Sequence, residues 1–520
     1  MKKIIVLDST LRDGAQAQGI SYTVEDKLKV VKKLDALGIS YIEAGNPTSN
    51  PKELEFFERV GKLKLQTSKI IAFGSTRRVG IPVEEDANVR SLLAAGTEAV
   101  VIFGKSWDFQ VIDILKTTLN ENISMIADTI SYFKKMGREV VYDAEHFFDG
   151  FRENREYAME TLEAARQAGA DSICLCDTKG SSMPLDIYNI TKEVVELIDI
   201  PIGIHCHNDN GMAVAGTIMA VQAGAVQVQG TINGLGERCG NANLCTIIPN
   251  LQLHMGYSCI PEMSMQHITS VARSISEISN VVFDERAPYV GRAAFAHKAG
   301  MHADAVVKNS SAYEMVDPKA VGNGRIFLMS EVAGRSAVLN IINKIDPSVT
   351  KDSTETMRVL EKLKEMEHEG YQYEGAESSF ELIIKKVLGK YHPYFELKDF
   401  KVIVNEPTIS SSEKNSSALI KVKVGNEEEI TAAEGDGPVN ALDNALRKAL
   451  ARFYPIISEM KLTDYKVRVL DSTSATAAKV RVLIESTDGS EVWTTIGVST
   501  DIIDASWRAL VDSIEYKLGR

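Results

Sequence analysis

No run of about 18 consecutive apolar residues, no Cys-x-x-Cys pair and no surplus of positive charge occurs in this 520-residue chain. Each absence narrows the reading. Without such a run there is no candidate membrane-spanning helix. The opening residues Met1-Lys2-Lys3-Ile4-Ile5-Val6 run into Asp8 and Arg12 rather than a long apolar stretch, so no signal peptide is expected either. A soluble, cytoplasmic protein with no membrane partner is the expectation. The six cysteines (Cys174, Cys176, Cys206, Cys239, Cys245, Cys259) sit in mixed apolar or strand-like contexts. Unpaired in this way, they argue against a zinc finger and against a disulfide framework, and they fit a reducing compartment. A net charge of −13 argues against nucleic-acid binding but leaves room for a small anionic substrate held by local positive charge or metal.

What is present is ordinary globular material, 44% hydrophobic and 25% charged, in a chain long enough for two or three domains. The first half alternates. Strand-like apolar runs occur at residues 4–8, 41–45, 70–74, 99–103, 139–142, 172–176, 202–206 and 226–232, with helix-like segments between them. Residues 24–37 have Val24, Leu28, Val31 and Leu34 at helical spacing and stop at Gly38, and segments ending at Gly169 and Gly224 follow the same rule. Pro184 opens another helix running to about residue 198. Residues 109–135 read as one longer helical connection. Eight strand-helix units in about 250 residues predict a (β/α)8 barrel. The rival, a doubly wound open sheet, would carry a Gly-rich phosphate turn after its first strand, where this chain has Ser9-Thr10-Leu11-Arg12-Asp13-Gly14.

From about residue 257 to 397 helical pieces (265–278, 334–345, 353–369) alternate with polar loops and no strand repeat is evident. Beyond that, strands at 400–405, 418–424 and 429–432 precede a helix at 439–453. The same order recurs with strands at 465–470, 477–484 and 491–498 and a helix at 502–517. A displacement of about 64 residues superposes Ala441 on Ala505, Ala445 on Ala509 and Leu446 on Leu510, which predicts a duplicated βββα unit. The expected division is a barrel over 1–260, a helical linker subdomain over 261–393 and an α+β domain over 394–520.

In such a barrel the chemistry lies at the carboxyl ends of the strands. His205 and His207, two apart on a strand, project to one side with Cys206 on the other. The bland reading is two polar residues at a strand end. Together with the carboxylate of Asp13 and the amide oxygen of Asn241, however, the imidazoles make a divalent-cation shell with positions left open. Its mixed nitrogen and oxygen donors permit Mg2+ or Mn2+, and also Co2+ or Zn2+. A cation chelated by a 2-oxo acid would polarise the acid's carbonyl. Arg12 could stabilise negative charge on that oxygen, with Glu43 holding the guanidinium, unless the pair is only a structural ion pair at the barrel mouth. Strand five brings Tyr142, Asp143 and Glu145 to the same end, and strand six brings Asp177, Thr178 and Lys179. The glycines of the run after strand eight (residues 233–243) read as turn formers rather than a phosphate cradle.

Four stretches stand out together: Asp8-Ser9-Thr10-Leu11-Arg12-Asp13-Gly14-Ala15-Gln16, His205-Cys206-His207-Asn208-Asp209, Gly234-Leu235-Gly236-Glu237-Arg238-Cys239-Gly240-Asn241-Ala242 and Ala296-His297-Lys298-Ala299-Gly300-Met301-His302-Ala303-Asp304. In that order they resemble one enzyme family, the 2-isopropylmalate, homocitrate and citramalate synthases. Gly74-Ser75-Thr76-Arg77-Arg78 and Tyr142-Asp143-Ala144-Glu145-His146-Phe147 point to the branch that takes pyruvate. Glu434-Gly435-Asp436-Gly437-Pro438-Val439 resembles the family's C-terminal regulatory domain.

The resemblance implies a Claisen-type condensation of acetyl-CoA, as co-substrate, with a metal-held 2-oxo acid, followed by thioester hydrolysis. By matching positions, Asp13, His205, His207 and Asn241 would be metal ligands. Arg12, Glu43, Glu145 and His302 would be catalytic, and Arg12, Tyr142 and Thr178 would contact substrate. Phe103 is a further pocket residue, His297 and Tyr313 adjoin the set, and His302 would reach the barrel of a partner subunit. The base for the methyl proton is left open between Glu145, His302 and a metal-bound water. The resemblance also implies a homodimer with an end-product effector, isoleucine for the pyruvate branch. Gly435, Gly437 and Ala475 are the candidate effector contacts, although Ser474-Ala475 departs from a more Gly-rich pattern. A synthase using 2-oxoisovalerate, a metal-dependent acyl-CoA lyase and a non-catalytic amino-acid sensor are the alternatives.

Overall fold

The computed structural model describes residues 2–47, 51–297, 300–327, 335–350, 352–373, 376–405, 415–470, 478–489 and 491–520. They form two compact units: Met1–Phe295 with Met315–Arg325, and Ala296–Glu314 with Ile326–Arg520.

The first unit is built on eight parallel strands: β1 (Ile5–Asp8), β2 (Tyr41–Glu43), β3 (Lys69–Ser75), β4 (Ala99–Lys105), β5 (Glu139–Glu145), β6 (Ser172–Asp177), β7 (Ile202–Cys206) and β8 (Gln227–Gly230). They close into a barrel because β8 pairs with β1, from Ile5 opposite Gln227 to Asp8 opposite Gly230. That closure excludes the open sheet. Side chains alternate across each strand. Leu7, Ile71, Ala99, Val101 and Val141 point inward and fill the barrel interior with Tyr41 and Phe73, while Val6, Val100, Tyr142 and Ile204 join the larger core between strands and helices. Above the apolar layer the inward positions turn polar, and this is where the site lies.

The surrounding helices start and stop as their capping residues dictate. Thr23 and Asp26 form a reciprocal capping box at the head of Val24–Leu37, and Gly38 ends that helix at φ +91°. Pro184 occupies the first turn of Pro184–Leu197. The expected continuous helix over 109–135 is interrupted: a π-helical turn at Gln110–Ile114 is followed by Lys116 at φ +55°, and the helix proper is Leu119–Lys135, capped by Thr118. Among the described residues no helix is long and apolar enough to cross a membrane.

The second unit holds a two-residue parallel bridge, β9 (Ala296–His297) with β10 (Ile326–Phe327). Helices Gly300–Lys308, Arg335–Ile345, Thr354–Glu369 and Glu377–Val387 accompany it. The first and last of these were not legible in the sequence. Two antiparallel sheets follow. One is β11 (Glu396–Asn405), β12 (Asn415–Val424) and β13 (Glu427–Gly435); the other is β14 (Lys461–Val469), β15 (Val480–Thr487) and β16 (Val492–Ser499). Each packs a helix, Pro438–Ala451 or Ile502–Leu518, and the superposed residues Ala441, Ala445, Leu446, Ala505, Ala509 and Leu510 are all buried. The duplication extends to detail. Both first strands shift register near their start, between Leu397 and Asp399 and between Leu462 and Asp464. Both last strands also bring a glycine against their helix: a Cβ on Gly435 would lie 2.5 Å from Ala441 N, and one on Gly497 2.0 Å from Ala505 O.

Candidate active site

The upper barrel gathers Arg12, Asp13, Glu43, His205, His207 and Asn241. Asp13 leaves β1 in a short helical turn, and its Oδ2 lies 3.9 Å from Nε2 of both His205 and His207. The three residues are buried, and one ligand atom from each lies within 4.8 Å of the others. Asn241 reaches them because the loop after β8 returns as an extended strand: His207 and Asn241 form an antiparallel bridge, and Ala242 N donates to Cys206 O. Gly236 lies beside this junction at φ +155°, where a Cβ would meet Asn241 Nδ2 at 2.1 Å. The glycine is there for close approach as well as for its turn.

The charges are arranged around one carboxylate. Burial alone would raise the Asp13 pKa, but Arg12 and the two histidines outweigh it and lower the group to about 2. Burial, aided by His205, lowers His207 to about 4, so its imidazole is neutral at pH 7. One anionic oxygen donor and a neutral imidazole beside it are the protonation states a hard or borderline divalent cation needs. The buried Oδ1 of Asn241 and Nδ1 of His207 have no hydrogen-bond partner among the described residues. The Asn241 amide nitrogen, rather than its oxygen, faces Asp13 Oδ1 at 2.7 Å, and it also donates to Leu235 O. The donor set of Asp13, His205 and His207 therefore fits a cation, and Asn241 would join it by turning its amide.

Arg12 is fixed from three sides. Its Nε donates to Glu43 Oε2 at 2.6 Å, its Nη1 to Asp13 Oδ2 at 2.8 Å, and its guanidinium lies 3.8 Å from the centroid of the Phe73 ring. Ser9 Oγ donates to the same Glu43 oxygen.

Other expected residues are placed differently. Glu145, at the end of β5, forms an ion pair with Lys105 Nζ at 2.5 Å. Thr178 accepts a hydrogen bond from His146 N and is half-buried. Tyr142 does not join the group. It is fully buried facing the helices, with its hydroxyl 3.4 Å from Ser106 Oγ, and alternation gives the inward position to Asp143. Phe103 stacks on Phe73, with 5.1 Å between ring centroids. His302, exposed, belongs to the second unit, where its ring lies 4.2 Å from that of Tyr313; His297 Nε2 there lies 3.0 Å from Glu314 Oε1. Gly435 packs against its helix, Gly437 caps the Pro438–Ala451 helix, and Ala475 lies outside the described residues.

The sequence reading missed Lys105 and Gln229, and it brought Asp143 to the barrel mouth without giving it a role. It ended strand four at Phe103, two residues short, although the alternation that turns Phe103 inward turns Lys105 the same way. Gln229 looks like any polar residue on a strand. A cavity of about 940 Å3 opens at the opposite, amino-terminal end of the barrel, around Ile5, Tyr41 and Lys69, and it contains none of these groups.

Similarity to relatives of known kind runs along the whole chain. An (R)-citramalate synthase of Aquifex aeolicus is 50% identical over 518 residues, covering 99% of this chain and 98% of its own length. The chain belongs to the (R)-citramalate synthase family. A second (R)-citramalate synthase, from Geobacter sulfurreducens, is 49% identical over 518 residues, covering 100% of this chain and 98% of its own. A probable 2-isopropylmalate synthase of Methanopyrus kandleri is 31% identical over 513 residues and covers 98% of each chain. Family models divide this citramalate synthase family chain in the same order: an HMGL-like model matches residues 3–275, a homocitrate synthase post-HMGL domain-like model 289–371, and a LeuA allosteric (dimerisation) domain model 374–518.

Proposed function

We propose that the chain condenses acetyl-CoA with pyruvate and water to give (R)-citramalate and free CoA. One observation carries the reading: an ionised Asp13 and two histidines converge at the barrel mouth beside an immobilised Arg12, in a chain half identical to (R)-citramalate synthases. A cation held by Asp13, His205 and His207, with Mg2+ or Mn2+ favoured by the carboxylate and Co2+ or Zn2+ admitted by the imidazoles, would polarise the ketone of the 2-oxo acid.

The chain's own groups do the rest. A base takes a proton from the acetyl methyl group, and the resulting carbon adds to the ketone carbon of pyruvate. The electron pair of the carbonyl moves to oxygen, where the Arg12 guanidinium, locked by Glu43 and Phe73, faces the new charge. Water then cleaves the thioester. Glu145, paired with Lys105, and His302 are the candidate proton carriers. Thr178 is the proposed substrate contact that remains at the mouth. Residues 1–260 would carry the barrel chemistry, 261–393 the linker and 394–520 regulation. In that last part, a homodimer of the LeuA type responding to isoleucine is the reading the domain supports, in a cytoplasmic setting.

Release of CoA, followed with acetyl-CoA and each of pyruvate, 2-oxobutyrate, 2-oxoisovalerate and 2-oxoglutarate, with and without isoleucine or leucine, tests this. Pyruvate should give the highest kcat/KM and isoleucine should inhibit. Preference for 2-oxoisovalerate over pyruvate would overturn the assignment.

A further inference from the structure

His205 and His207 present their Nε2 atoms to Asp13, but their far sides differ. His207 Nδ1 has no partner among the described residues, whereas His205 Nδ1 lies 3.0 Å from Gln229 Oε1 on the neighbouring strand β8. An amide can face an imidazole through either its oxygen or its nitrogen, and the other end of this amide decides which. Gln229 Nε2 donates to Asp143 Oδ1 at 2.9 Å across the barrel interior, from β8 to β5. An oxygen of Asp143 accepts there, so the amide oxygen is the atom left for His205. Asp143 and Gln229 are both buried, and the remaining surroundings of Asp143 include the thiols of Cys174 and Cys176, which offer weak competition for the amide. Burial, then Glu43, raises Asp143 well above the usual carboxylate range. Neutral or ionised, its carbonyl-type oxygen remains an acceptor.

We infer that Gln229 is a positioning residue: held by Asp143, it accepts the Nδ1 proton of His205 and thereby keeps the Nε2 lone pair of His205 free for a cation. This rests on the reading above that His205 is a metal ligand. The physical reason is general. A ligating imidazole must be neutral with its proton on the far nitrogen, and an acceptor fixed behind it both selects that tautomer and aims the ring. Without Gln229, an imidazole on this strand is free to carry its proton on Nε2, which faces Asp13.

The test uses the full chain. In metal-free protein labelled with 15N-histidine, with a His205→Asn spectrum for assignment, His205 should show the Nδ1-protonated tautomer. Gln229→Leu should lose that signature and bind Mn2+, measured by electron paramagnetic resonance, about 10- to 100-fold more weakly. Gln229→Glu, which restores an acceptor oxygen, should recover both the tautomer and most of the affinity. An Nε2-protonated His205 in the parent protein overturns the inference directly, even if the leucine variant fails to fold. So does a Gln229→Leu protein that melts earlier but binds Mn2+ as the parent does, since that is what a packing role alone would produce. A parent that binds no Mn2+ overturns the metal reading and this inference with it.

Discussion

A methyl group at Gly236 would press on Asn241 and come within 3.1 Å of Asp13 Oδ1, in a backbone region that other residues avoid. Gly236→Ala should therefore keep a folded barrel by circular dichroism while losing about 100-fold in kcat/KM, because displacement of this order at a site that aligns reacting groups costs about that much. Arg12→Lys is the second test at this scale. Lysine keeps the charge but cannot hold Glu43 and Asp13 at once or lie flat on Phe73. A fall in kcat of about 100- to 1000-fold is expected, with a much smaller change in KM for pyruvate, measured by steady-state CoA release. An equal loss carried by KM alone would show that Arg12 serves ground-state binding. Single residues were legible where a local pattern named them, as with His205-Cys206-His207 and Arg12-Asp13. Gln229 and Lys105 were not, because their meaning lies in neighbours on other strands, Asp143 and His205 for one and Glu145 for the other.

Whole elements read better than residues, for a physical reason. Barrel strands buried on both faces show as short apolar runs, and helices with a defined cap announce their ends; the helix Val24–Leu37 coincides with its sequence reading. The helix Glu377–Val387 was missed although Phe380, Ile383, Ile384 and Val387 recur at helical spacing; its first turn, Ser378 and Ser379, is polar yet buried, and the Ser379 hydroxyl donates to Asp512. One element contact makes a testable claim. The helix Pro51–Val60 is tied to the helix Val24–Leu37 by a buried ion pair, Lys27 Nζ to Glu53 Oε2 at 2.6 Å, and Lys27 also donates to Ala44 O just beyond β2. Breaking such a pair from one side leaves a buried charge, so Lys27→Met should cost about 3–5 kcal/mol in urea unfolding. The double variant Lys27→Met with Glu53→Leu should cost less than Lys27→Met alone. Additive losses would show that the two side chains are independent.

At the scale of the molecule, the eight-unit count and the repeat of about 64 residues predicted a barrel and a duplicated βββα fold, and both are present. The exchange of segments between the two units, with Ala296–Glu314 in one and Met315–Arg325 in the other, had no local pattern to reveal it, since it depends on long-range packing. The C-terminal repeat ends on a buried carboxylate that gives the chain a pH response. Glu515, near the end of the last helix, accepts a hydrogen bond from Tyr394 N at 3.1 Å, so it joins the two ends of the domain. Burial outweighs this hydrogen bond and raises its pKa to about 7. In the unfolded chain the group titrates near the ordinary glutamate value, about 4.3. Below that value both states hold the proton and the stabilising contribution is complete. Between there and about pH 7 only the folded state keeps the proton, so stability falls as pH rises, by at most about 1.4 kcal/mol per pH unit. Above pH 7 the decline from this group ends. Glu515→Gln keeps an acceptor for Tyr394 without the ionisation. Its melting temperature relative to the parent should therefore rise steadily from pH 4.5 to pH 7 and level off beyond. A difference that is flat across this range would show that Glu515 is ionised in the folded domain throughout and that Tyr394 N, not burial, governs it.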